Sequence, residues 1–198
     1  MTFTQDFLAE SVAVINALDV DAVESVARGL ADTRERGGRL FILGVGGSAG
    51  HASHAVNDFR KICDIEAYTP TDNVSELTAR ANDEGWDTTF VEWLKGSRLS
   101  RSDTLLVFSV GGGNAEKHVS TNIVSALQLG SERGCDIYGI VGRDGGTTAQ
   151  LATACVIIPP LFTDHITPLT EGLCALVWHL LVTHPALVKV ATRWESLQ

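Results

Sequence analysis

The chain has 198 residues, 44% of them hydrophobic and 20% charged, with a formal net charge of -9. That balance describes a folded soluble domain able to bury a core, and the acidic excess excludes a nucleic-acid binder, which needs a basic face, while leaving room for a basic pocket around one phosphate. The opening MTFTQDFLAES lacks the basic-then-apolar order of a signal peptide, no apolar run approaches the ~20 residues of a membrane span, and Cys63, Cys135, Cys155 and Cys174 are scattered, so we expect a cytoplasmic protein with reduced thiols.

Residues 4–36 read as two helices, with apolar positions Leu8, Val12, Ile15 and Leu18, then Val23, Val26 and Leu30, broken at Asp19 to Asp21. Leu40 to Val45 is a short β-rich run ended by glycine, hence a buried strand. A helix follows from Ser48 or Ala49 to about Ile62, and EAYTP offers a short strand closed by Pro70. Val74 to Ala81 and Thr88 to Leu99 read as helices, and Thr104 to Val110 as a second buried strand ended by three glycines. A helix is expected from Ala115 to Arg133, stopped by Gly134. DIYGIVG is a strand, RDGGT a loop, Thr147 to Ala152 a short helix and ACVIIP the last strand. Thr170 to about Val190 is mostly helical, interrupted near Pro185. Strands alternating with helices mean βαβ units: a single three-layer α/β domain, 1–198, with a five-stranded mainly parallel sheet and helices on both faces. The helices of residues 1–36 pack on the core or on a partner subunit.

The glycine-rich stretches GVGGSAG and SVGGGN each follow a strand. Backbone N–H groups exposed by such loops, with the partial positive charge of a helix start, make an anion site. One such loop is equally well a tight turn, but two at the same sheet edge favour a phosphorylated ligand at the point where strand order reverses. The candidate contacts are Gly46, Gly47, Ser48, Ser109, Gly111, Gly112 and Asn114. GRDGG, from Gly142 to Gly146, reads more simply as a turn. GVGGSA also satisfies the dinucleotide fingerprint, with Asp64 downstream, but that pattern leaves SVGGGN unexplained, and no nucleotide cofactor is expected. His54 and Asp58, four residues apart, share one helical face.

The order of these features resembles the sugar isomerase (SIS) domain family and, within it, the phosphoheptose isomerases, which interconvert sedoheptulose 7-phosphate and a heptose 7-phosphate. The likeness runs through GVGGSAGHASH, ANDEGWDTTF, SVGGGN, GRDGG and the final helix. Asn82 and Asp83 match the family's A-x-x-N-D and are implied substrate contacts. Asp58 stands where the family has glutamate, and Val110, Gly111 and Asn114 stand where it has hydroxyl residues. In the last helix Glu171 and His179 fall on the family's Gln and His, eight residues apart. The resemblance implies a flavodoxin-like SIS fold and an aldose–ketose isomerase of phosphosugars. It implies Asp58 and His179 as the acid/base pair, Glu171 as a positioning group, and His54, Asp58, Glu171 and His179 as a nitrogen–oxygen set suited to zinc. A homo-oligomer, most simply a tetramer, is the family habit. His51 has no role in the family pattern. Trp86, Trp93, Trp178 and Trp194 read as core or subunit contacts, with Trp86, near Asn82 and Asp83, the one candidate sugar platform. Two other readings stay open: a non-catalytic SIS phosphosugar-binding regulator or adaptor, which needs no acid/base pair, and a nicotinamide-dependent reductase.

Overall fold

In a computed structural model, which describes residues 2–193 and 197, five strands form one all-parallel sheet. They are β1 (Leu40–Leu43), β2 (Ala67–Tyr68), β3 (Thr104–Ser109), β4 (Asp136–Val141) and β5 (Ala154–Ile157), in the order β2-β1-β3-β4-β5. The chain leaves β1 to one side for β2 and returns to β1's other side with β3, pairing Leu43 with Val107. Strand order therefore reverses between β1 and β3, and their carboxyl ends open a crevice there.

The strands read as continuous apolar runs because both faces are covered. Leu40 and Ile42, with Leu106, Phe108 and Ile140, face one core, whereas Phe41 and Leu43, with Leu105, Val107 and Ile137, face the other. The first core is closed by α2 (Val20–Glu35), α3 (Gly47–Lys61) and α8 (Ile166–Thr183), with Val14, Phe7 and Leu18 from the N-terminal segment packed at its edge. The second is closed by α5 (Thr89–Gly96) and α6 (Thr121–Arg133). The first helix, α1 (Phe3–Asn16), starts at a capping box in which Thr2 and Gln5 exchange hydrogen bonds. The break before α2 comes where Asp19 caps it by accepting from the Ala22 N–H. α4 (Val74–Asp83) and α7 (Gly146–Leu151) complete the set.

Two helices depart most from the sequence expectation. The helix foreseen from Ala115 begins at Thr121, because Asn114 turns the chain first: its side chain accepts from the Lys117 N–H, and its backbone pairs with Val119. α8 starts at Ile166, after a 3₁₀ turn at Thr163–His165, and ends at Thr183. His184, which precedes Pro185, is extended, the conformation that a following proline favours. The stretch Thr163–Thr183, with mean hydropathy 1.4, is long and apolar enough to cross a membrane by length and composition, contrary to the sequence expectation. It is the central helix of the first core, where Val177, Trp178 and Leu181 are fully buried. Trp194 lies outside the described residues.

Candidate functional site

A cavity of about 800 Å³ opens at the β1/β3 crevice. Ser48, at the start of α3, lines it, as do Ser109 and Gly111 of the loop after β3. Glu171 enters from the first turns of α8.

The entry to α3 is a glycine turn with no side-chain cap: Gly46 has φ 63° and ψ -126°, a conformation that side chains other than glycine's strain to adopt. Gly47 is required for a different reason. A Cβ there would lie 2.6 Å from Glu171 Oε1 and 3.1 Å from Oε2, so the carboxylate rests directly against the start of α3. That is the favourable, positive end of the helix. α3 and α8 pack together with their first turns at the cavity, so the later positions of both helices converge beyond it. There His54, Asp58 and His179 bring one donor atom each to within 4.8 Å of one another. His54 Nε2 is 3.6 Å from Asp58 Oδ2, and the rings of His54 and His179 stand 5.4 Å apart, nearly perpendicular. Trp178, fully buried, stacks on His179 and meets His54 edge-on.

Of the four residues implied as metal ligands, the structure thus gathers three. Glu171 is not among the three: it lies two helical turns before His179, a rise of about 12 Å, and lines the cavity. Asn82 and Asp83 are also elsewhere. They end α4, exposed and bonded to each other, and do not line the cavity. Trp86 packs near Phe90 and is no part of the cavity wall.

The loop after β3 differs from the expected row of free donors. Gly111 and Gly112 both donate to Ser109 Oγ, and the Asn114 N–H donates to the Val119 carbonyl. Gly112 is a packing position: a Cβ there would lie 1.8 Å from the Gly145 carbonyl oxygen. The carbonyls of Gly112 and Gly113 accept from Thr148 and Thr147, which fastens this loop to GRDGG. The third loop is therefore more than a turn, and its Arg143 and Asp144 line the cavity.

Comparison with known proteins decides the family. The SIS domain profile matches residues 5–142. The chain belongs to the SIS domain family. It is 33% identical over 187 residues to the lincomycin biosynthesis protein LmbN of Streptomyces lincolnensis, covering 91% of this chain and 68% of that one. It is 33% identical over 146 residues to the phosphoheptose isomerase of Pelobacter propionicus, covering 71% and 74%. Among solved structures, phosphoheptose isomerase GmhA from Neisseria gonorrhoeae superposes with a TM-score of 0.77 at 24% identity, over 90% of this chain and 95% of that one. This last likeness establishes the fold.

Reading the SIS-family chain as a sequence missed Lys117, Ser120, Arg143 and Asp144 as cavity residues. The signal for the first two was present: Ser120 and Thr121 directly precede the apolar positions Ile123 and Val124 and mark a later helix start. The cysteines stand apart from this chemistry. Burial pushes the thiols of Cys135 and Cys155 up to about 11 and that of Cys63 to about 12 and raises Cys174 too, so none is a ready nucleophile.

Proposed function

We propose that the cavity and the His54–Asp58–His179 cluster are the two ends of one phosphosugar isomerase site. The chain is an isomerase of the phosphoheptose type, and its substrate is an aldose or ketose phosphate like sedoheptulose 7-phosphate. One observation carries the reading: α3 and α8 each contribute a residue to the cavity, Ser48 and Glu171, and residues to the cluster, His54, Asp58 and His179. A phosphate held at the cavity loops would leave the sugar's far end, where the carbonyl lies, to run along these helices toward the cluster.

The reaction breaks one C–H bond beside the carbonyl, forms one at the neighbouring carbon, and moves a hydroxyl proton between two oxygens through an enediol(ate). Asp58 and His179 hold and return those protons. His179 Nδ1 lies 2.8 Å from the Ala175 carbonyl, and donating there fixes the tautomer and leaves Nε2 as the free lone pair. Glu171 orients the sugar from the cavity side. The cluster's donor set, two imidazoles and a carboxylate with a backbone carbonyl behind one imidazole, fits zinc. Bound there, zinc would supply Lewis-acid stabilisation of the developing oxyanion and would occupy the Nε2 lone pair of His179, leaving Asp58 as the proton carrier. Homo-oligomerisation, most simply as a tetramer, would cover the exposed edge of the cluster, where the His54 side chain is 57% accessible.

Incubation with sedoheptulose 7-phosphate and a panel of ketose phosphates, following aldose formation, tests the reading. Turnover that is lost with the Asp58→Asn change supports it. No aldose from any member of the panel overturns it.

A further inference from the structure

The loop after β3 lacks the hydroxyl side chains expected there, and two of its amides are spent on Ser109. An anion in this cavity needs its charge balanced from elsewhere. Two cations face it, Lys117 from the turn before α6 and Arg143 from the loop after β4. Among the described residues neither head group has an ion pair or hydrogen bond, whereas Arg36, Arg39 and Arg80 are each paired with a carboxylate. The cavity's own carboxylates pair with neither: Asp144 Oδ1 accepts from the Gly146 N–H, and Glu171 lies against Gly47.

We infer that Lys117 and Arg143 are the phosphate-recognition pair of this chain, supplying by charge what the loop after β3 no longer supplies by hydroxyls. The inference rests on the phosphosugar reading of the cavity. Position 111 shows the exchange at one point. A Cβ on Gly111 would meet Arg143 Cδ at 3.5 Å, ordinary van der Waals contact, so the arginine stem runs beside the position from which a side chain at 111 would start. Arg143 is held at φ 55°, a left-handed conformation rare for a non-glycine residue and one that clusters at ligand-binding sites. Lys117 is presented by the turn that Asn114 builds, closed by the Asn114–Val119 bridge. Guanidinium and ammonium groups bind phosphate by charge-assisted bonds that weaken with salt, unlike a hydroxyl cradle.

The experiment compares the full-length wild type with Lys117→Gln, Arg143→Gln and the double variant. Calorimetry gives the affinity for inorganic phosphate and for sedoheptulose 7-phosphate at low and high salt, and the assay gives kcat and KM. Each single change is expected to raise Kd and KM about tenfold, and the double about a hundredfold, with kcat within a factor of two. The wild type's salt dependence flattens in the double variant, and Lys117→Arg restores affinity. Both residues are exposed, so thermal unfolding should match the wild type. Unchanged affinity in the double variant overturns the pair, as does a wild type that binds neither probe. A wild type that binds phosphate through these two residues but isomerises no sugar phosphate keeps the pair and removes the isomerase reading instead.

Discussion

The Glu171 carboxylate occupies the space beside Gly47 that any larger residue would fill, with Oε1 2.6 Å from where a Cβ would stand. The contact ties the start of α8 to the start of α3, and it places a negative group at the positive end of a helix, where the pair gains about 0.3–1 kcal/mol. A methyl at position 47 therefore cannot be absorbed without moving the carboxylate. We expect Gly47→Ala to lower kcat/KM at least tenfold while costing the fold little, since Glu171 is the end of a flexible side chain. Gly47→Ala/Glu171→Ala should fold as well as the wild type by thermal unfolding. Wild-type kinetics for Gly47→Ala would show that Glu171 does not position the sugar.

Asp58 carries the acid/base reading with one methylene fewer than glutamate. Asp58→Asn keeps the shape and removes the exchangeable proton, so kcat should fall at least ~100-fold, the lower range of a general acid–base contribution. Affinity for the phosphosugar, set in the cavity, should stay within threefold. Asp58→Glu separates reach from chemistry and should retain turnover. Full activity in Asp58→Asn takes the residue out of the mechanism.

The separation of Glu171 from the cluster makes a prediction about zinc that a four-ligand site would not. Chelator-treated protein should bind one zinc per chain, His54→Ala and His179→Ala should each abolish binding, and Glu171→Ala should leave it within a few-fold. Trp178 offers a direct readout, because its indole stacks on His179 and meets His54 edge-on. Zinc addition should change its fluorescence without substrate present. Loss of zinc binding in Glu171→Ala would restore Glu171 as a ligand.

The strands and their parallel order were legible because apolar runs ended by glycine and alternating with helices admit few arrangements. The pair His54 and Asp58 was legible for the same kind of reason: a four-residue spacing on a helix fixes a shared face. Glu171 is implied by the family resemblance, which sets it eight residues before His179; that spacing puts both on one face of α8 but says nothing about how far along α3 each one reaches. The two-turn rise between them carried Glu171 to Gly47 and His179 to His54. Lys117 and Arg143 lie in loops, where no periodicity constrains a side chain. Lys117 is placed by the local turn that Asn114 builds, whereas Arg143 depends on GRDGG packing against Gly112, a long-range fact of the folded chain.

At the amino end of the central strand β3, opposite the cavity, Asp103 is 2% exposed. Burial pushes its carboxyl up, but donation from Arg39 and from the Ser100 N–H and hydroxyl outweighs this and holds it below its ordinary value of 3.8. A group lowered on folding contributes stability above its unfolded value and loses it as pH falls through the folded value. Wild-type stability should therefore decline below about pH 4, and Asp103→Asn should lose about 2–4 kcal/mol at neutral pH with a flatter acid limb. Urea titrations between pH 2 and 7 measure both. Parallel acid limbs in the two proteins would assign the loss to other carboxylates.

The last prediction concerns assembly. Leu8, Val12 and Ile15 recur at helical spacing on α1, and they are 60%, 56% and 39% exposed. On α8, Leu176 and Leu180 flank His179 and are 46% and 43% exposed. An apolar stripe on a helix that already packs on α8, beside a cluster of two imidazoles and a carboxylate open to solvent, fits contact with a second copy of the chain. Stable interfaces bury about 1,200–2,000 Å² in total, and a helix stripe of this length paired with its own copy supplies a substantial part of that. We expect a homo-oligomer, most simply a tetramer, by light scattering at micromolar concentration. Leu8→Glu/Val12→Glu should reduce its mass while keeping the helical circular dichroism signal, because both residues lie outside the core. Activity should fall with the mass if a partner subunit covers the cluster, and phosphate affinity, set in the cavity, should not. A wild type that is monomeric at that concentration removes the subunit contact from the function. An oligomer unchanged by the double variant moves the contact off α1.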